Sequence, residues 1–152
     1  MTIIERSIVI PTPPVIVWAT LTDTGRYGSW NPFIREFTGD LRPGAKIRVR
    51  ISPPGGRAMS FTATMTAVDE GRRLEWSGHL GVPGLLDGRH SFTLETVDVD
   101  STRLTQAERF SGCLVPFTGG LLRRTAAGFE AMNHAIATEA VARYMAPRQP
   151  RW

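Results

Sequence analysis

The hydrophobic pattern changes period once, and that change limits the chain more than any other feature. Between residues 45 and 112 apolar residues alternate with polar ones in successive runs, whereas from 121 to 145 they recur at helical spacing. Alternation places every second side chain on one face of a strand, so each run predicts a strand with one buried face. The run "AKIRVRIS" (45–52) turns Ile47, Val49 and Ile51 one way and Lys46, Arg48 and Arg50 the other. After the "PPGG" turn, "RAMSFTATMTAV" (57–68) aligns Met59, Phe61, Ala63, Met65 and Ala67. "LEWSGHL" (74–80), "RHSFTLETV" (89–97) and "TRLTQAERFSG" (102–112) complete the series, with "DVDS" as a hairpin turn. The helical segment carries Leu122, Ala126, Phe129, Met132 or Asn133, Ile136, Ala140 and Tyr144 on one stripe, and Pro147 stops it.

Ahead of the strands lies a more irregular region. "TIIERSIVI" (2–10) has the makeup of a strand and ends at "PTPP". There Thr12 can cap a helix whose first turn holds Pro13 and Pro14, where a missing N–H costs little. "VIVWATL" (15–21) gives one or two turns, with Val15, Trp18, Ala19 and Leu21 or Thr22 inward. Asp23 can cap a second short helix running into Trp30, which Pro32 ends. The order is strand, two short helices, about six antiparallel strands and one long helix. Sheet and helix have one apolar face each, so the expected closure is α+β, a strongly bent sheet wrapped on the long helix. A cavity tends to form between two such surfaces.

At 152 residues the chain is expected to form one domain over 1–146, with 147–152 as a C-terminal tail. Its apolar runs fall well short of the ~18 residues of a membrane span, and the Met1 region lacks a signal-peptide core, so a cytoplasmic location is expected. The net charge is +4, but 17 of the 18 basic residues are arginines scattered among carboxylates, with Lys46 the single lysine. A nucleic-acid footprint is clustered on one face, so no nucleic-acid partner is expected. Cys113 stands alone, which excludes an internal disulfide and a cysteine-based zinc cluster. Three scattered histidines have no ligand spacing, so no metal is expected. No cofactor is expected either, since phosphate loops and dinucleotide turns are absent. Nothing separates a monomer from a homodimer.

Several stretches together carry a family likeness: "VW" after the proline-started helix, "LTD" followed by "WNPF", the "LEW" and "GRHSF" strands, "ERFSG" and the final helix. In these the chain resembles the SRPBCC superfamily, the START-domain and Bet v 1-like helix-grip group that includes polyketide cyclase/dehydrase-like proteins. The resemblance covers nearly the whole chain. It implies a curved antiparallel sheet of six to seven strands and a deep hydrophobic cavity between that sheet and the C-terminal helix. Its functions range over lipid carriers, aromatase/cyclases, hydrolases and co-chaperone-related domains, so the fold does not settle the activity. In such a fold the two short helices close one end of the cavity, which would make Trp18, Trp30 and Phe33 its floor or gate. A plain plug at the junction of short helices and sheet is the other reading of these aromatics.

The remaining candidate lining residues are Phe61, Trp76, Phe92, Phe110, Phe129 and Met132, with Gln106 and Asn133 as polar contacts. A tight turn centred near Val99 pairs Leu94 with Leu104, Phe92 with Gln106 and His90 with Glu108. Phe92, Leu94, Leu104 and Phe110 mark that face as inward. His90 and Glu108 then form an acid/base pair suited to enolisation, aldol cyclisation or dehydration, or simply a cross-strand hydrogen bond that needs no ligand. His79 is expected on the exposed face. His134 lies at an edge of the helical stripe, and Arg123 and Arg124 near the helix start could meet a ligand anion. Three functions stay open: a binding protein for a small hydrophobic or aromatic molecule, a polyketide cyclase or dehydratase using His90 and Glu108, and a co-chaperone-like interaction module.

Overall fold

The computed structural model describes residues 1–146; the expected stop at Pro147 and the tail 147–152 lie outside them. One antiparallel sheet carries seven strands: β1 (Thr2–Ile10), β2 (Ile34–Thr38), β3 (Lys46–Ile51), β4 (Met59–Asp69), β5 (Arg73–Leu80), β6 (Leu86–Asp98) and β7 (Ser101–Ser111). From β2 to β7 each strand pairs with the next, and β1 adds at the far edge beside β7. Two short helices, α1 (Pro14–Thr22) and α2 (Tyr27–Trp30), follow β1, and the long α3 (Gly119–Met145) closes the chain. This is the helix-grip arrangement, with α3 packed against β1 and α1.

Alternation located β3 to β7 and composition located β1, but neither located β2. In β2 the charged pair Arg35–Glu36 interrupts the period, and the register with β3 shifts between Ile34 and Glu36. A bulge also corrects β4. Its register slips between Met65 and Ala67, so Ala67 pairs with Glu75 and Val68 turns to the core.

The short helices differ in detail from expectation. α1 starts at Pro14 with Pro13 as its N-cap residue, and Thr12 makes no capping bond. Its buried residues are Val17, Thr20 and Leu21, while Val15 is exposed. Thr20 can face inward because its hydroxyl donates to the Ile16 carbonyl one turn back at 2.9 Å. Asp23 precedes a single 3₁₀ turn without a side-chain cap, and α2 follows. Buried Asn31 then redirects the chain. Its Oδ1 accepts from the backbone N–H groups of Phe33 and Ile34, both at 2.9 Å, which drives Phe33 into the interior.

The stripe of α3 is buried at Thr125, Gly128, Phe129, Met132, Asn133, Ile136 and Ala140. Tyr144 lies off it, exposed, with its hydroxyl donating to Asp100 Oδ1 at 3.0 Å. At Gly128 the helix comes so close to Phe33 that a Cβ there would overlap the ring. Phe33 and Phe129 then meet edge to face at 5.7 Å. That contact joins the α2–β2 corner to the long helix.

Candidate functional site

The register of the sheet sets out the site in rows across its concave face. The middle row runs Ile4, Glu108, His90, Trp76, Met65 from β1 to β4. One row nearer the open end runs Phe110, Gly88, Gly78, Ala63. One row deeper, Gln106, Phe92 and Leu74 fill the core. The sheet is therefore densely filled at depth and bare at its open end.

A concavity opens above the bare row. Its walls include Phe33, Phe61, Trp76, Phe110 and, from α3, Leu121 and Thr125, and His90 and Glu108 border it. About 690 Å³ of space is counted when the open mouth and its solvent are included, and the cavity volume itself is about 60 Å³. One water needs ~10–15 Å³ on that measure, so the inner part holds a few.

His90 is only 4 % exposed. Its ring lies flat on Trp76 at 4.8 Å and 6°, with the edge contact to Phe129 at 5.0 Å completing its packing. The β6–β7 hairpin places Glu108 directly opposite, and His90 Nδ1 lies 2.9 Å from Glu108 Oε2. An ionised carboxylate only accepts, so the shared hydrogen belongs to Nδ1. Nε2 of His90 is buried and has no partner. Glu108 differs. Its side chain is 16 % exposed, and its Oε1 lies over Gly88, where a Cβ would be only 2.5 Å away. No arginine pairs with Glu108 among the described residues.

The other side of the same strands balances charge fully. Glu75, buried on the convex face, accepts from Thr66 at 2.8 Å and from Arg73, with Arg89 at 3.9 Å. Burial alone would raise its pKa. The hydrogen bonds from Thr66 and Arg73, with the charges of Arg73 and Arg89, outweigh burial and hold it below the ordinary carboxylate range. Tyr27, buried beneath α1, is shifted far upward by burial and by the Asp23 charge, and its hydroxyl donates to the Leu21 carbonyl.

Of the candidate residues, Phe33, Phe61, Trp76, Phe110, His90 and Glu108 come together at the concavity. Phe92, Phe129 and Met132 do not border it, because α3 closes down on the sheet beyond its first turns and seals them into the core. Gln106 and Asn133 are likewise core residues: Gln106 donates to Asn133 Oδ1 at 3.0 Å, and Asn133 donates to the Arg6 carbonyl at 3.1 Å. Trp18 and Trp30 are half-buried supports, Trp30 packing edge-on to Tyr27 at 5.3 Å. Neither borders the concavity. His79 is exposed, as expected, but sits at the rim opposite Asp87. His134, Arg123, Arg124 and Cys113 are exposed. Sequence reasoning missed Met59, Leu86, Asp87, Leu121 and Thr125 among the lining residues, and it also missed the glycines Gly78 and Gly88. The signal of the two glycines was their place, each at an inward position two residues from Trp76 or His90.

Among the described residues no cluster of His, Cys, Asp or Glu is arranged to hold a metal ion, and no helix is long and apolar enough to cross a membrane. No curated protein matches the chain. Solved structures do. The ZhuI aromatase/cyclase from Streptomyces sp. R1128 is 16% identical, superposing with a TM-score of 0.73 over 93% of this chain and 94% of that one. Norcoclaurine synthase from Thalictrum flavum is 12% identical at a TM-score of 0.73, covering 93% and 95%. Ara h 8.0201 is 15% identical at 0.70, covering 93% and 98%. These likenesses establish the fold. Residues 1–145 match the model for polyketide cyclase/dehydrase and lipid transport proteins, and the chain thus belongs to that family of the SRPBCC superfamily.

Proposed function

We propose that the protein binds a small, largely apolar or aromatic molecule in the concavity bordered by Trp76, Phe110 and the His90–Glu108 pair. The observation that supports this most is the contrast within the concave face. A deep apolar core ends in a bare, apolar-walled opening, and a carboxylate without a cationic partner stands at its edge. A drug-sized ligand needs ~300 Å³ or more. The inner space therefore takes one end of such a molecule, and the rest lies in the mouth.

A second reading is favoured by the hydrogen bond between His90 and Glu108. A carboxylate facing a ligand and oriented by an imidazole can accept a proton from an acidic C–H or O–H group. The Nδ1–H bond then holds the carboxylate in place. That suits a cyclase or dehydratase acting on a polyketide-like substrate; the similar ZhuI protein is an aromatase/cyclase.

The two readings part on one variant. Binding of an uncharged apolar dye such as Nile red is expected to shift its emission to the blue. Glu108→Gln is expected to keep that affinity within a few fold, while an enzyme would lose most of its turnover of an enolisable substrate. A folded protein that binds no apolar dye would remove both readings.

A further inference from the structure

Two glycines face each other on adjacent strands at the open end, Gly78 on β5 and Gly88 on β6. A Cβ on Gly78 would press on Ala63 Cβ and the Thr62 carbonyl, both at 3.2 Å, and one on Gly88 would meet Glu108 Oε1 at 2.5 Å. Neither glycine has a left-handed backbone, so conformational freedom does not account for them. Space does. Any side chain on Gly88 would occupy the place of the carboxylate.

The pair His90–Glu108 is also oriented in one direction. The imidazole is packed between Trp76 and Phe129, and its second nitrogen is closed off and unpartnered. The carboxylate uses Oε2 for the imidazole, which leaves Oε1 as its free acceptor beside the bare row; the other polar side chains of the lining are His79 and Asp87 at the rim and Thr125, whose hydroxyl donates to the Leu121 carbonyl. An ionised carboxylate oxygen accepts and never donates. In an apolar surrounding it disfavours anions and leaves a carbonyl or ether oxygen unpaired.

We infer that Gly88 is a positioning residue that seats Glu108 Oε1 over the bare floor, and that this oxygen selects ligands presenting a hydrogen-bond donor, such as a phenol, an enol or an amine. This rests on the concavity being the binding site. His90 acts through the carboxylate, whose Oε2 it holds.

The experiment compares 2-naphthol with 2-methoxynaphthalene, which share a flat apolar ring and differ in the donor. Wild-type protein is expected to bind the naphthol at least ~10-fold more tightly, the worth of one hydrogen bond to a charged acceptor. In Glu108→Gln and in Gly88→Ala the two affinities should come within about threefold of each other, because the charge is removed in one and displaced in the other. The double variant should lose nothing further, since both changes act on one contact. Glu108→Asp keeps the charge but withdraws it from Gly88, and it should also lose the preference without adding a methyl group. Equal binding of both compounds by the wild type would overturn the inference and leave the binding site standing. Binding of neither would overturn both. A wild-type preference that survives in Gly88→Ala or Glu108→Asp would show that the seat has no such role.

Discussion

Glu75 and Glu108 are carboxylates on strands two apart in one sheet, and they face opposite ways. On the convex side Glu75 has a hydroxyl and two guanidinium groups around it. On the concave side Glu108 has one imidazole and an open oxygen beside a glycine. Both are shielded from bulk water, so burial does not distinguish them. Completeness does. A buried ion stabilises only where its partners replace the lost water, and an incomplete set is kept where another molecule supplies the missing partner. The convex carboxylate has the chemistry of a structural fastening, and the concave one keeps an acceptor free for the proposed ligand.

The comparison can be strained first by volume. Gly128→Ala forces a methyl group into the Phe33 ring, and a crowded core cannot absorb it without backbone movement. A loss of ~1–3 kcal/mol in denaturant unfolding is expected, together with weaker dye binding as Phe33 shifts into the concavity. A variant with wild-type stability and affinity would mean that the α3–Phe33 contact does not shape the wall.

Charge gives the next largest effect, with opposite readouts on the two faces. Glu75→Gln is expected to cost ~1–2 kcal/mol of stability and leave dye binding unchanged, whereas Glu108→Gln should alter stability by less than ~1 kcal/mol. The pH dependence follows from the lowered pKa of Glu75. A carboxylate that holds its proton less tightly when folded stabilises the fold fully above the ordinary range near ~4.3, and that contribution is lost as pH falls through the folded value. Glu75→Gln should therefore flatten the decline in stability as pH falls below the ordinary carboxylate range of ~4.3. An equally steep decline in wild type and variant would count against the convex network. The smallest effect is expected at the Arg6–Glu130 pair, whose side chains are 42% and 59% exposed. Glu130→Gln should change stability by less than ~0.5 kcal/mol, and a larger loss would show that exposed pairs matter as much as the buried network.

Strand alternation and the helical stripe made the architecture legible, because each follows from one buried face. The His90–Glu108 pairing was legible for the same reason: both strands have one apolar face, and a slip by one residue would have turned Phe92 and Leu104 outward, although a register shift between Thr96 and Asp98 separates the pair from the turn. The aromatics are harder to place, because an inward face can meet either the cavity or the core. Trp18, Trp30, Phe92 and Phe129 are as apolar as Trp76, and whether such a ring borders a cavity depends on where α3 touches the sheet. No local pattern encodes that. Glycines pose the reverse problem. Gly88 has no side chain to attract notice, and its effect is seen only once Glu108 is placed above it.

The most direct measurement follows the indole N–H resonances during titration with 2-methoxynaphthalene. Trp76 stands in the wall of the concavity, while Trp18 and Trp30 support the core elsewhere. If the concavity is the binding site, the Trp76 resonance moves in step with ligand occupancy, and those of Trp18 and Trp30 stay in place. Movement of Trp18 and Trp30 with Trp76 unchanged would put the ligand beside the short helices and contradict the assignment of the site.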